Sequence, residues 1–260
     1  MTRYKYLVER YPLITSFMLI ALCLAIVLGL PQLFPKGTAG QDLAKILLRF
    51  AVGFGALYLL VKFNWASAAG IAGKPWHKRW WLATLPMSLL AGVNLLGTNW
   101  EAVVLGPAAV FNWLGYNLSV GLFEEALLRG LCFYILYNGW KHKKNGLLAA
   151  AVVQAVIFGL LHLINLAHAP VLDTVSQTIY ATLLGIGFAG LAAYCRSIWP
   201  GVALHAFINL AGSINTDLIP GNPQAAGTLE MYIGAAIVIT IVSTLPGLWQ
   251  LRKAQQAAAA

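Results

Sequence analysis

The sequence predicts an all-α, polytopic membrane fold, a helical bundle of about eight transmembrane helices with both termini cytoplasmic. Three observations predict it. The 260-residue chain is 60% hydrophobic and 10% charged, with a mean hydropathy of +0.74, whereas soluble domains carry roughly 25% charged residues. Apolar runs of spanning length, about 17 to 25 residues, recur along it. Lysines and arginines punctuate the ends of those runs, mostly on one side.

The runs fall at 13–31, 43–61, 81–98, 113–138, 146–167, 176–195, 199–215 and 230–250. The first follows a basic head, as a signal peptide would, but Pro31-Gln32-Leu33-Phe34-Pro35 supplies no small-residue cleavage site, so a retained span is expected. The third and seventh are short. The stretch Glu101 to Phe111 is expected to be re-entrant or interfacial. Ala254 to Ala260 is a low-complexity end that contributes nothing to the fold prediction. No internal repeat or second domain is evident, so residues 1–260 read as one membrane domain.

Orientation follows from the basic residues. Arg3, Lys5 and Arg10 precede the first run, Lys62, Lys74, Lys78 and Arg79 follow the second, and Lys141, Lys143 and Lys144 follow the fourth. Arg196 follows the sixth run, and Arg252 and Lys253 follow the eighth. Lys36 stands alone on the opposite side, while Lys45, Arg49 and Arg129 fall within runs. This asymmetry places both termini in the cytoplasm. Trp76, Trp80, Trp81, Trp140, Trp199 and Trp249 suit a cytoplasmic interfacial belt, and Trp100 and Trp113 the opposite face. The net charge of +9 is therefore a topology signal rather than a nucleic-acid footprint. Cys23, Cys132 and Cys195 have neither metal-clip nor CxxC spacing and suggest no disulfide framework.

Charged groups inside a span are rare and mark pathways or reaction centres. Between Leu114 and Tyr137 the chain nevertheless carries Glu124, Glu125 and Arg129. Glu125 and Arg129 are spaced i, i+4 with the acid N-terminal, so they share a face and neutralise each other. Glu124 points about 100° away. A structural ion-pair lock is the plain alternative, yet a lock needs one acid, and Glu124 is surplus.

Two further runs carry polar pairs at i, i+4. Phe158 and His162 occur in FGLLH, and His205 and Asn209 in HAFIN. Each pair alone also fits an interhelical hydrogen bonder. Together with Glu124 they supply a base, proton carriers and donors, the parts needed to attack a carbonyl with water. Ser119 and Cys132 are poorly placed as nucleophiles, which favours water activated by Glu124. His77 and His142 are expected to be solvated, and His168 to lie away from any site. Glycines at 121, 130, 185, 187 and 190 suggest close helix packing.

At these residues the sequence resembles the CPBP family of intramembrane proteases, which groups type II CAAX prenyl endopeptidases with bacterial Abi proteins. The family's EExxxR, FxxxH and HxxxN motifs match Glu124-Glu125 with Arg129, Phe158 with His162, and His205 with Asn209, in order, within a core of 113–215. The resemblance implies an intramembrane endopeptidase in which Glu124 and His162 activate water, His205 and Asn209 stabilise the oxyanion, and Glu125, Arg129 and Phe158 support them. It implies a peptide or protein substrate, lipid-modified or not, membrane lipids as surroundings and no nucleic acid. The location is an integral, multi-pass one, the inner membrane if the source is bacterial.

The family has been described both as metal-independent and as metalloproteases. No HExxH helix is present, so direct water activation without a cofactor is favoured, with zinc on Glu124, His162 and His205 as the other option. The competing functions are a non-catalytic scaffold or bacteriocin-immunity protein, and a transporter using Glu124 as a proton relay. No paired broken helices support transport. One tension remains in the geometry. Helical rise puts Glu124 and His162 about 21 and 24 Å from the cytoplasmic helix ends but His205 only about 9 Å. For the three to meet, either the Arg196 to Gly201 connection dips into the bundle or the helix boundaries differ from these runs.

Overall fold

A computed structural model describes residues 8–72, 76–222 and 227–259. Arg3, Lys5 and Lys74, used above for orientation, lie outside the described residues. Those described form helices and the turns that connect them, with no strand among them. A bilayer interior offers backbone groups no water, and a helix satisfies them within the segment.

The first helix, α1, starts at Pro12–Leu24, passes through a π-helical turn at Ala25–Gly29 and closes with a 3-10 turn at Leu30–Leu33. Helix α2 covers Ala39–Lys62 and α3 covers Trp80–Leu96. Helix α4 runs as Pro107–Glu124, continues as a π-helical stretch Glu125–Cys132 and ends as Phe133–Trp140. Helix α5 is Gly146–Leu161 extended by a 3-10 segment His162–Ala167, α6 is Val171–Cys195 and α7 is Trp199–Asp217. The last rod, α8, begins at Leu229–Ile239, bulges at Thr240–Thr244 and finishes as Leu245–Ala259.

Five of these segments are long and apolar enough to cross a membrane: Pro12–Leu33, Ala39–Lys62, Gly146–Ala167, Val171–Cys195 and Leu229–Ala257. Trp80–Leu96 is apolar but shorter. Large side chains such as Phe17, Met18, Leu89 and Leu96 face outward. Such an apolar exterior suits lipid rather than water.

Several helices begin earlier than their apolar runs because capping signals set the boundary. Thr38 accepts from Gln41 N and starts α2 at Ala39; Pro107 occupies the first turn of α4, and Pro170 precedes α6. In the 101–111 segment a 3-10 turn at Trp100–Ala102 leads to Val104, whose N–H donates to Leu218 O at 2.8 Å, tying it to the end of α7 before α4 begins. The C-terminal helix continues through the alanine-rich end to Ala259, as the high helix propensity of alanine allows.

Helix α4 packs on α2 and α7, and its C-terminal part packs on α5; α6 lies between α5 and α8. The core therefore gathers around the π-helical stretch of α4, where Ala126, Leu127, Leu128 and Leu131 are buried.

In the Arg196 to Gly201 connection Ser197 and Ile198 are 0% and 1% exposed, while Arg196 is exposed. Arg196 adopts the left-handed conformation (φ 56°), and Ile198 N donates to Ala69 O at 3.0 Å. The 63–72 loop folds over it, with Ala68 O accepting from Tyr134 Oη at 2.6 Å. Helix α7 starts beneath this loop, and His205 of α7 reaches Glu124 of α4, with Nε2 3.5 Å from Oε2.

Candidate active site

The α-helical part of α4 ends at Glu124, and Glu125 opens the π-helical stretch. Such wide turns recur at functional sites. Glu125 and Arg129 keep the predicted pairing: Arg129 Nη1 lies 3.1 Å from Glu125 Oε1, and both side chains are 0% exposed. The pair is held by charge more than by hydrogen-bond alignment, since none of the Arg129 nitrogens makes an aligned hydrogen bond. The guanidinium is instead sandwiched by aromatic rings, with Cζ 4.3 Å from the Phe158 centroid and 5.2 Å from that of Phe188. Cation–π attraction strengthens when the cation is desolvated, as here.

His205 sits between the two glutamates. Its Nδ1 is 2.8 Å from Glu125 Oε1, and its Nε2 is 3.5 Å from Glu124 Oε2. A carboxylate with Arg129 beside it only accepts, so Nδ1 carries the proton. The ring stacks on Phe188 with centroids 5.1 Å apart and an 18° tilt. The expected angular divergence of the two acids is realised as an approach to opposite nitrogens of one imidazole. The side chain of Glu124 is 22% exposed, and it lines a cavity of about 610 Å³.

His162, Phe158 and Asn209 line the same cavity as Glu124 and His205. His162 lies where α5 tightens into its 3-10 segment. Its Nδ1 is 2.9 Å from Phe158 O, and a carbonyl accepts only, so Nδ1–H is the donor and Nε2 is left as the basic nitrogen. The Phe158 ring meets His162 edge-on at 5.0 Å and His205 at 6.4 Å, and it lies under Arg129. Asn209 stands one turn beyond His205 on α7. Neither rejected nucleophile faces the cavity: Ser119 Oγ donates to Tyr116 O at 2.7 Å, and Cys132 lies beside Ser16 and Leu19 of α1.

Small residues allow this convergence. A Cβ at Gly121 would lie 3.0 Å from Ala206 Cβ and 3.1 Å from Val202 O, so α4 and α7 touch there. One at Gly185 would meet Ala155 Cα at 2.9 Å, and beside it Gln154 Nε2 donates to Gly185 O at 3.0 Å. Gly201 faces Glu125 Oε2, which a Cβ would approach to 3.1 Å.

Sequence reasoning missed several cavity residues. Arg49 of α2 and Tyr116 of α4 line it, as do Gln177 of α6 and His168, which was expected elsewhere. Arg49 carried a signal, an intramembrane cation with no acid at helical spacing beyond the Asp42–Lys45 pair. His77 is half-buried against Tyr194, with ring centroids 4.4 Å apart, rather than solvated. Among the described residues, no group of three or more His, Cys, Asp and Glu side chains is placed to hold a metal ion.

Residues 104–211 match the family model described as Type II CAAX prenyl endopeptidase Rce1-like. All three motifs fall within that segment. That segment is similar to the CPBP/CAAX protease family, and the apolar helices around it are those of an integral membrane protein. No curated protein and no solved structure matches the chain.

Proposed function

We propose that the protein is a multi-pass intramembrane endopeptidase, its eight helices crossing the bilayer with both termini cytoplasmic, that hydrolyses a peptide bond of a membrane-associated protein or peptide. A lipid-modified C-terminal segment of the CAAX type and a bacteriocin or signalling precursor are the candidate substrates; in a bacterium the site is the inner membrane. The observation that carries this reading is His205 held between Glu124 and Glu125 on the wall of a cavity shared with His162 and Asn209.

In this reading Glu124 removes a proton from water, and the oxygen attacks the scissile carbonyl carbon. Positioned general bases contribute about 10²–10⁴-fold. The oxyanion accepts from Asn209 Nδ2–H and, when the ring is protonated, from His205 Nε2–H, an effect worth about 10²–10³-fold per donor. The C–N bond then breaks as the proton held on Glu124 passes to the leaving amine, with His162 Nε2 as a second proton carrier. Glu125, paired with Arg129, accepts from His205 Nδ1–H and orients the ring. No metal takes part.

Quantitative mass spectrometry of membranes containing the native protein or the Glu124→Gln variant tests the reading. A peptide whose new terminus depends on Glu124 supports it. Identical peptide populations, with the biological phenotype retained by the variant, would point to the scaffold alternative.

A further inference from the structure

Arg49 is a buried cation without an anion. It is 9% exposed, stands on α2 outside the family-matched segment, and lines the same cavity as Glu124. Its Nη1 donates to Lys45 O at 3.0 Å and its Nη2 to Tyr116 Oη at 3.4 Å, while Cζ lies 4.6 Å from the centroid of the Tyr116 ring. No carboxylate pairs with it among the described residues. The nearest acid on its own helix, Asp42, is taken by Lys45 at 2.8 Å. A guanidinium has five N–H donors, so two bonds leave most of the fork uncommitted. A charge held in a span without a partner is costly and marks a functional contact. Arg129, only one helix away, shows the alternative, a cation fully compensated by Glu125, Phe158 and Phe188.

We propose that Arg49, presented by Tyr116, is an anion subsite that binds a carboxylate of the peptide being cleaved. The assignment rests on the peptide-cleaving reading above and specifies what that peptide must carry. Guanidinium is the side chain best matched to a carboxylate, through paired parallel hydrogen bonds. Tyr116 supplies both a ring face against the cation and a hydroxyl at its edge. Along α4, Tyr116 precedes Glu124 by eight residues, an axial offset of about 12 Å. An extended peptide covers about 3.3–3.6 Å per residue. A carboxylate on Arg49 therefore places a bond about three to four residues upstream of it beside Glu124. The cavity then reads a substrate end and the scissile bond at once, which makes Arg49 a specificity residue.

The test uses the full-length Glu124→Gln protein in detergent and three dye-labelled peptides, each a farnesylated cysteine followed by a short apolar tail. One ends in a free carboxylate, one in an amide, and one in an amide with an acidic side chain on its last residue. Fluorescence anisotropy should show the free acid binding about tenfold or more tighter than the plain amide, as expected for a charge-assisted hydrogen bond. That preference should vanish when Arg49→Gln is added and persist in part with Arg49→Lys. The third peptide tells the source: parity with the free acid assigns the subsite to side-chain carboxylates, and parity with the amide assigns it to the chain terminus. Equal affinity for acid and plain amide in the protein that retains Arg49, including no binding of either, overturns the proposal. A preference that survives Arg49→Gln also overturns it. If Arg49→Gln fails to fold, Tyr116→Phe, which should weaken the preference, takes its place. An acid preference with no Glu124-dependent cleavage anywhere would sink the protease reading alone and leave the subsite standing.

Discussion

His205 Nδ1 lies 2.8 Å from Glu125 Oε1 while its Nε2 lies 3.5 Å from Glu124 Oε2, so one imidazole joins the fully buried, arginine-paired acid to the cavity-facing one. The two neighbouring carboxylates thereby have different surroundings: the Glu125 side chain is 0% exposed, while that of Glu124 is 22% exposed and lines the cavity.

Replacing Glu124 with Gln should leave the fold intact, because the change is isosteric and its side chain has no ion pair as close as that of Glu125. Cleavage should fall by at least about 10²-fold. A thermal melt beside a product assay checks both halves, and a cleavage rate near the native one would remove Glu124 as the base.

Arg129→Ala and Glu125→Ala should each destabilise the protein by about 3–5 kcal/mol, since each strands a buried charge. Removing both should cost less than the sum of the two. Unfolding of the two single variants and the double variant, followed under one set of detergent conditions, gives the coupling, and strict additivity would contradict a paired lock.

Asn209→Ala should lower kcat by about 10²–10³-fold with little change in KM if its amide serves the oxyanion. A rise in KM with kcat unchanged would mean instead that Asn209 holds substrate in the ground state.

Gly121→Ala pushes a Cβ to 3.0 Å from the backbone of Ala206, and that backbone carries the neighbouring His205. Overpacking of this kind costs about 1–3 kcal/mol, and it should separate His205 from Glu124 and reduce cleavage more than it reduces stability. Gly55, with nothing within 4 Å of its added Cβ, is the control.

Treatment with a strong chelator should leave cleavage unchanged, and the purified protein should hold no stoichiometric zinc. Loss of activity on chelation, restored by zinc, would replace direct water activation by a metal-dependent step.

Much of the helical order was legible because apolar runs and helical spacing are local properties. The pairing of Glu125 with Arg129 is such a case, since residues four apart on a helix meet whatever surrounds them. Boundaries were less legible where capping rather than hydropathy decided them, as at Thr38 and Pro107. The tie of Val104 to Leu218, on another helix, was not legible in the 101–111 stretch because it joins residues far apart in the chain.

By itself the sequence determined that Glu124 is a surplus acid in an apolar helix and that His162, His205 and Asn209 are candidates to join it, because charge and spacing can be counted along a chain. Only the tertiary structure decided that His205 bridges both glutamates, that Ser197 and Ile198 in the turn before α7 are buried, and that Arg49 opens into the same cavity without a carboxylate partner among the described residues. Those relations join residues tens of positions apart. They depend on how closely small residues such as Gly121 and Gly185 let the helices approach, and no local pattern records that distance.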